Sequence, residues 1–348
     1  MIIDANMYWM PEEMFQDAEY LEQFMACVNQ DLKRNGFIRS LGESGKKEIV
    51  IEKPKGYANL NYAQGEYQLE TMLQDMEDAK IDKAILKLPC VQEWLSLELC
   101  KKFNDGMYNY VKKGKNRFSA LAVVPPFAGE KGIDELKRCV EDLGVTGVQM
   151  CAHYGDKYLD HKDFRPFFKE VNRLKLPVYV HHTPVPVEYE SIYEYNNVRR
   201  TYGRCADQTI AISREVYSGM FEEFPDLKLV HSMLGGAFFA YKDSMFRKKP
   251  AAEQDTVKRF DVDTDKMCQQ LKNNIYFELS HAQPWGQVLL EAAVKILGAD
   301  HIIFGSSYPV RKEWMSEGAD FIKNLAISEK EKQLILHENA ENIYKLKV

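Results

Sequence analysis

The sequence has no long hydrophobic run and no excess of basic residues. No stretch of about 18 consecutive apolar residues occurs, so we expect no membrane-spanning helix. The formal net charge is −6, which argues against the basic face that nucleic-acid binding requires. The first residues carry neither a basic segment nor a long apolar segment. We therefore expect no secretory signal peptide, a cytoplasmic location, and neither nucleic acid nor membrane as a partner.

Cysteine pairs are also missing, although cysteine itself is not. The seven cysteines stand at positions 27, 90, 100, 139, 151, 205 and 268, and none forms a Cys-x-x-Cys pair. An odd number without such a pair argues against a disulfide framework and against a zinc ribbon. We interpret them as buried thiols in a reducing compartment.

Eight short apolar segments alternate with helical patterns along the chain. They span residues 2–5, 83–88, 118–124, 147–150, 178–180, 227–233, 274–279 and 302–304. This alternation predicts a (β/α)8 barrel, a single α/β domain over residues 1–348, with an exposed insertion at 35–60. The alternative is an open doubly wound sheet. It is disfavoured because no glycine-rich dinucleotide turn follows the first segment and no P-loop occurs.

Two adjacent histidines end the fifth apolar segment, in the stretch KLPVYVHHTP. Residues 178–180 are typical of a buried strand, and Pro184 prevents that strand from continuing. Because α/β barrels bind ligands at the carboxyl ends of their strands, His181 and His182 are predicted site residues. The alternative is a pair of loop histidines near the surface.

Other predicted strands also end in polar or ionisable residues. Those we single out are Asn6, Tyr8, His231, Met233, Glu278, His281 and Ser307. Asn6 and Tyr8 are two residues apart, so they are expected to face the same side of the first strand. The long loop after the fifth strand adds Arg199 and Arg200, which could bind a substrate carboxylate or simply be solvated.

Nine segments in register carry a resemblance to a known family. They are MIIDAN, LQDMEDAKIDKAIL, RFSALAVVPP, LGVTGVQM, LDHKDFRPFFKEVNRLKLPVYVHH, FPDLKLVHSMLGG, NNIYFELS, ADHIIFGSSYP and HENAENIYKL. Together they resemble the amidohydrolase-related family that includes aminocarboxymuconate semialdehyde decarboxylase and γ-resorcylate decarboxylase. The resemblance implies a TIM barrel, often a homodimer, that acts on a small carboxylated aromatic or enol-type molecule.

The chain departs from that family at the metal site. The resemblance places the family's ligand positions at Asn6, Tyr8, His181, Met233 and Ser307, so one strong ligand survives. Neutral amide, thioether and hydroxyl groups are poor donors for zinc and manganese. We therefore predict an empty family metal site and no cofactor. A relocated site formed by His181, His231 and Glu278 is the alternative.

The leading hypothesis is a metal-independent enzyme with decarboxylase-like carbon–carbon lyase chemistry. His181 is the expected acid or base, with His281 and His231 as further catalytic candidates. Tyr8 is expected to donate a hydrogen bond to a substrate oxygen. The expected substrate-binding residues are Asn6, His182, Arg199, Arg200, Met233, Glu278 and Ser307. A metal-independent hydrolase of a lactone or ester and a non-catalytic binding protein are the alternatives.

Overall fold

The computed structural model describes residues 1–246 and 264–346 of the chain. In chain order its strands are β1 (Ile3–Tyr8), β2 (Asn35–Leu41), β3 (Lys46–Glu52), β4 (Ala58–Ala63), β5 (Lys83–Lys87), β6 (Phe118–Val123), β7 (Gly147–Cys151), β8 (His153–Tyr154), β9 (Lys157–Tyr158), β10 (Pro177–His181), β11 (Lys228–His231), β12 (Ile275–Glu278) and β13 (Ile302–Ile303). Eight of these strands form one parallel sheet in the order β1-β5-β6-β7-β10-β11-β12-β13.

Helices separate the strands of this sheet. They are α1 (Ala18–Val28), α2 (Leu69–Asp78), α3 (Leu97–Lys113), α4 (Gly129–Glu141), α5 (Arg165–Leu174), α6 (Arg204–Tyr217), α7 (Met220–Glu223), α8 (Phe238–Met245), α9 (Thr264–Asn274), α10 (Ala282–Trp285), α11 (Gln287–Leu297), α12 (Lys312–Ser316), α13 (Gly318–Lys323), α14 (Glu329–Gln333) and α15 (Asn339–Tyr344). No helix in these two ranges is long and apolar enough to cross a membrane.

Local sequence signals explain where the longest helix, α3, begins and ends. The Ser96 side chain accepts a hydrogen bond from the backbone N–H of Leu99 at 3.2 Å, which caps the helix start. Two lysines stand in its last turn, where positive charge is favourable, and Gly114 follows. The helix buries one apolar face, which includes Phe103 and Met107, against the sheet.

The sheet closes into a barrel between its first and last strands. The backbone N–H of Ala5 donates to the carbonyl of Phe304 at 3.0 Å, and that of Ser307 donates to the carbonyl of Asn6 at 2.8 Å. The lower barrel is filled by apolar side chains, among them Ile3, Ala5, Ile85, Leu121, Tyr179, Val230 and Ile303. The predicted (β/α)8 TIM barrel is therefore confirmed, and its centre is a packed core rather than a pore.

A register shift in β1 determines which side chains enter the barrel. Ile3 and Ala5 point into the interior, as alternation in a strand requires. The pairing with β5 shifts between Asp4 and Met7, which marks a bulge. Beyond this bulge the inward positions are the even-numbered ones, because the side chains of Asn6 and Tyr8 contact interior groups of β10.

The segment after β1 folds as a three-stranded antiparallel sheet of β2, β3 and β4. Strand β2 is largely exposed, whereas β3 buries four successive residues from Glu48 to Ile51. The sheet contacts the barrel mouth. Asn59 donates to the carbonyl of Pro184 at 3.1 Å, and Lys53 pairs with the buried Glu93 at 2.5 Å.

Candidate active site

Asn6 lies at the centre of a buried hydrogen-bonded network in the barrel mouth. Its Nδ2 atom is within 3.0 Å of four oxygens, which belong to Tyr179, Glu278, Ser280 and Ser307. An amide nitrogen carries two hydrogens, so it can donate to two of these oxygens at once. Its Oδ1 atom is buried and has no hydrogen-bond partner among the described residues. The network therefore leaves an acceptor open to a further donor.

Glu278 is the carboxylate that holds this network together. It accepts hydrogen bonds from the Tyr179 hydroxyl at 2.6 Å, from Asn6, and from the Ser280 hydroxyl and backbone N–H. Gly305 allows this approach, because a Cβ there would lie 2.1 Å from Glu278 Oε1 and 2.6 Å from Asn6 Cβ. The carboxylate is thus satisfied by protein donors.

Tyr8 and His181 form a hydrogen-bonded pair above that network. The Tyr8 hydroxyl is 2.9 Å from His181 Nε2, and His181 Nδ1 is 2.7 Å from the carbonyl of His182. A carbonyl only accepts, so Nδ1 carries the proton, Nε2 carries a lone pair, and the Tyr8 hydroxyl donates to it. Burial, and next the charge of Lys87, lowers the pKa of His181 well below its usual value. His181 is therefore a neutral acceptor near pH 7.

His182 and Cys90 complete this side of the mouth. The two imidazole rings are 4.2 Å apart between centroids, so both histidines face the same cluster. This arises because β10 ends at His181 and the alternation of side chains ends with it. Cys90 Sγ is 3.6 Å from His182 Nε2 and 3.8 Å from His181 Nε2. The sequence analysis did not single out Cys90.

Lys87 is a second residue that the sequence analysis missed. It lies on β5 inside the barrel, is fully buried, and its Nζ has no hydrogen-bond partner within the described ranges. The Nζ atom is 3.1 Å from the centroid of the Tyr179 ring and 5.6 Å from that of Tyr8. Burial lowers the pKa of this lysine well below its usual value, whereas the Glu278 carboxylate opposes that shift. A lysine within an apolar strand was the available signal.

Arg204, not Arg199, is the guanidinium that influences the site. Burial raises the pKa of Tyr8 and Cys90, and the charge of Arg204 opposes that rise. Burial lowers the pKa of His181, His182 and His281, and the same charge adds to that fall. Arg204 Nη2 bonds Asn59 Oδ1 at 2.8 Å, while its buried Nε lacks a partner in the part of the chain the structure describes. Arg200, one helical turn earlier, is half-buried, and burial followed by the charge of Arg204 lowers its pKa. Arg204 follows Arg200 by four residues, and this i, i+4 spacing was the feature of the sequence that could have identified Arg204.

Arg199 has a structural role instead of the predicted one. Its guanidinium donates to the backbone carbonyls of Tyr193 and Ala58 at 2.5 and 3.0 Å, and it lies over the ring of Tyr57. These contacts join the loop after β10 to the three-stranded sheet. Its donors are therefore largely committed within the protein, and the expectation that Arg199 binds substrate is corrected.

His231 is also placed away from the mouth. Its Nε2 is 2.8 Å from Glu215 Oε2 and its Nδ1 is 2.8 Å from Gln208 Oε1, both on α6 outside the barrel. The neighbouring Val230 points into the barrel, so His231 faces the helix layer. The expectation that His231 is catalytic, and the relocated metal site of His181, His231 and Glu278, are thus contradicted by this geometry.

The remaining predicted residues surround the mouth. His281 stacks on Trp314 with ring centroids 3.9 Å apart, and burial lowers its pKa to about 3. The backbone N–H of Met233 is 3.4 Å from the Ser280 hydroxyl. Four strand-end residues of the mouth have left-handed backbone angles, namely Cys90 (φ 59°), Met233 (φ 53°), His281 (φ 57°) and Ser307 (φ 63°). Such strain in non-glycine residues is typical of functional sites.

The comparisons with known proteins agree with this architecture. The amidohydrolase family model matches residues 91–346. The chain belongs to the amidohydrolase family. A γ-resorcylate decarboxylase of Polaromonas sp. strain JS666 is 28% identical over 303 residues, which are 80% of this chain and 90% of that protein. The resemblance to γ-resorcylate decarboxylase and its relatives is therefore confirmed, as is the expectation of an enzyme rather than a non-catalytic binding protein.

Two solved structures share the fold over nearly the whole chain. The 5-carboxyvanillate decarboxylase of Novosphingobium aromaticivorans, complexed with manganese and a nitrobenzoic acid, has a TM-score of 0.76 at 20% identity and covers 99% of this chain and 96% of its own. The dihydroxybenzoic acid decarboxylase of Polaromonas, with manganese and 2-nitroresorcinol, has a TM-score of 0.72 at 21% identity, covering 99% and 97%. Both hold manganese, so the expectation of a metal-independent enzyme has no support from these comparisons.

The metal-ligand positions expected from the family resemblance do not fit a divalent cation here. The Asn6 amide, the Tyr8 and Ser307 hydroxyls and the Met233 thioether are neutral, and the first three hydrogen-bond within the protein. Within the ranges described, the one group of three metal-binding side chains is Cys90, His181 and His182, whose donor atoms lie within 4.8 Å of one another. Only His181 is common to the two sets.

Proposed function

We propose that the protein is a non-oxidative decarboxylase of a small carboxylated aromatic or enol-type substrate. The observation that carries this proposal is the Tyr8–His181 pair, a proton-bearing hydroxyl held by a neutral imidazole in a buried mouth. The relatives named as decarboxylases support the same reaction class. A cytoplasmic location and a homodimer stay predictions from the sequence.

The carboxylate would be oriented by Arg204, because its Nε donor is unpaired and its charge acts on the mouth. An arginine fork can hold a carboxylate by two hydrogen bonds. Asn6 Oδ1, also unpaired, would accept from a substrate hydroxyl. These two groups would place the carboxylate-bearing carbon near the Tyr8 hydroxyl.

The bond between this carbon and its carboxylate then breaks. The carbon keeps the electron pair and takes the proton of the Tyr8 hydroxyl, which gives up its hydrogen bond to His181, and CO2 leaves. Burial raises the pKa of Tyr8, so the resulting phenolate is short-lived; the charge of Arg204 offsets part of that cost, and the phenolate regains its proton from solvent. His181 orients the Tyr8 hydroxyl and accepts its hydrogen bond.

The test is CO2 release from a panel of hydroxybenzoates, measured beside hydrolysis of lactones and esters. We expect CO2 release from at least one hydroxybenzoate, and a loss of at least about a hundredfold in kcat for Tyr8→Phe, the lower end of the range for a positioned proton donor. Tyr217→Phe is the matched control, because its hydroxyl bonds the Met245 carbonyl outside the barrel. Hydrolysis without CO2 release, or full activity of Tyr8→Phe, would overturn the proposal.

A further inference from the structure

Cys90, His181 and His182 have the composition of a metal site that uses softer donors than the manganese-binding relatives need. Their donor atoms lie within 4.8 Å of one another, and all three residues are buried. In a tetrahedral zinc site, bond lengths of 2.0 to 2.3 Å place neighbouring donors about 3.3 to 3.6 Å apart. Cys90 Sγ is 3.6 Å from His182 Nε2 and 3.8 Å from His181 Nε2, close to that range, and 3.3 Å from His181 Nδ1, which is engaged by the His182 carbonyl.

The orientation of both imidazoles supports this reading. His181 Nδ1 donates to the carbonyl of His182 at 2.7 Å, and His182 Nδ1 is 3.2 Å from the Ser232 hydroxyl. That hydroxyl oxygen has two lone pairs and can accept from both Nδ1 and the backbone N–H of His182. Metal-bound histidines usually have their second ring nitrogen held in this way, which leaves the Nε2 lone pair for the ion.

We infer that Cys90 Sγ, His181 Nε2 and His182 Nε2 bind a transition-metal ion on the side of the mouth formed by β5 and β10. On binding, the ion replaces the thiol proton, which is released to solvent, so that one S–H bond breaks and one metal–thiolate bond forms. The thiolate selects zinc or cobalt over manganese or magnesium. This inference does not depend on the proposed function, since its test requires no turnover.

Two neighbouring groups set the strength of this site. The Tyr8 hydroxyl occupies the His181 Nε2 lone pair, so a metal ion has to displace that hydrogen bond. The charge of Arg204 acts on Cys90 and both histidines and opposes a dication. Tyr8→Phe is therefore expected to bind the ion more tightly than the wild type does.

The experiment titrates chelator-treated full-length protein with Co²⁺ and follows the thiolate-to-cobalt charge-transfer absorption, while calorimetry compares Zn²⁺ with Mn²⁺. We expect one equivalent of Co²⁺, the charge-transfer band, and Zn²⁺ binding tighter than Mn²⁺. Cys90→Ser should lose the band and weaken Zn²⁺ binding by about a hundredfold or more. The loss of a direct ligand should weaken binding at least as much as the loss of a residue that only hydrogen-bonds to a ligand. Cys205→Ser, a half-buried thiol on α6, is the matched control.

Three results would overturn the inference. The first is the absence of stoichiometric Zn²⁺ or Co²⁺ binding by the wild type. The second is unchanged binding by Cys90→Ser, with circular dichroism showing that the variant is folded. The third is a preference for Mn²⁺ over Zn²⁺, since that preference indicates oxygen ligands rather than a thiolate.

Discussion

Replacing Lys87 with methionine should make the protein more stable. Its amine is fully buried without a hydrogen-bond partner in the described ranges, and such a group costs about 1–3 kcal/mol of stability. The Lys87 Nζ atom is 3.1 Å from the centroid of the Tyr179 ring, and in its charged form this contact would offset up to about 2 kcal/mol of that cost. Methionine fills a similar volume and has neither the cost of a buried amine nor the contact of a cation with the ring. Glu278 keeps its donors, so we expect a gain of about 1–2 kcal/mol.

Chemical denaturation of the two proteins measures this difference directly. The folded-state pKa of Lys87 lies well below its unfolded value, so the unfolded state binds more protons than the folded state at pH values between the two. The penalty on the wild type therefore shrinks as pH rises toward the unfolded pKa of 10.5, and the advantage of Lys87→Met should shrink with it.

Lys53→Met is the matched control. Lys53 is also buried, but it pairs with Glu93 at 2.5 Å. Removing it leaves that carboxylate alone and should cost about 3–5 kcal/mol. If Lys87→Met were destabilised by a similar amount, Lys87 would be a structural partner of Glu278 and the reasoning would be wrong.

Three further predictions concern separate parts of the chain. Burial raises the pKa of Asp4 from 3.8 to about 6, so the contribution of Asp4 to stability is present below pH 3.8 and is lost as pH rises through 6. Asp4→Asn should therefore be up to about 3 kcal/mol more stable than the wild type at pH 8 and equal to it near pH 3.5. Urea titrations of both proteins at the two pH values measure this difference. Glu215→Leu should lose about 3–5 kcal/mol, whereas Glu215→Leu combined with His231→Leu should recover most of it, with kcat unchanged in the folded proteins. Arg204→Gln should lower kcat/KM for a carboxylated substrate by about 10- to 100-fold, because one charged hydrogen bond of about 1.5–3 kcal/mol is lost. An equal effect of Arg199→Gln without loss of stability would contradict the assignment of Arg204 as the carboxylate-binding residue.

The barrel was predictable because its signals are repeated. Buried parallel strands read as short apolar runs, and eight such runs alternate with helical patterns along the chain. The order of the strands then follows from the usual right-handed connections. Asn6, Tyr8, His181, Glu278 and Ser307 were accordingly placed near one another on the grounds that each follows a barrel strand.

The errors occurred where strand alternation stops. A continuing strand would place His231 and Met233 on one face, but β11 ends at His231 and the backbone turns left-handed at Met233. A continuing strand would also point His181 and His182 in opposite directions, and they converge because β10 ends between them. The direction of a side chain beyond a strand end depends on local backbone angles that hydrophobic periodicity does not encode.

Some groups were missed because their role depends on tertiary contacts. Cys90 becomes notable only beside two histidines that lie about 90 residues away in sequence. Arg199 and Arg200 were singled out in the loop after the fifth strand, yet the contacts of Arg199 commit it to backbone carbonyls. Those contacts are tertiary, so the sequence does not show that Arg199 is committed and that Arg204 faces the mouth.

The most direct test of the central claim is a crystal structure of the protein with 2,6-dihydroxybenzoate bound. The account predicts that the carboxylate lies within hydrogen-bond distance of Arg204 and that the carbon bearing it faces the Tyr8 hydroxyl. It also predicts that any transition-metal ion is held by Cys90 and His182. A carboxylate bound away from Arg204, or an ion held by Asn6 and Ser307, would contradict the account.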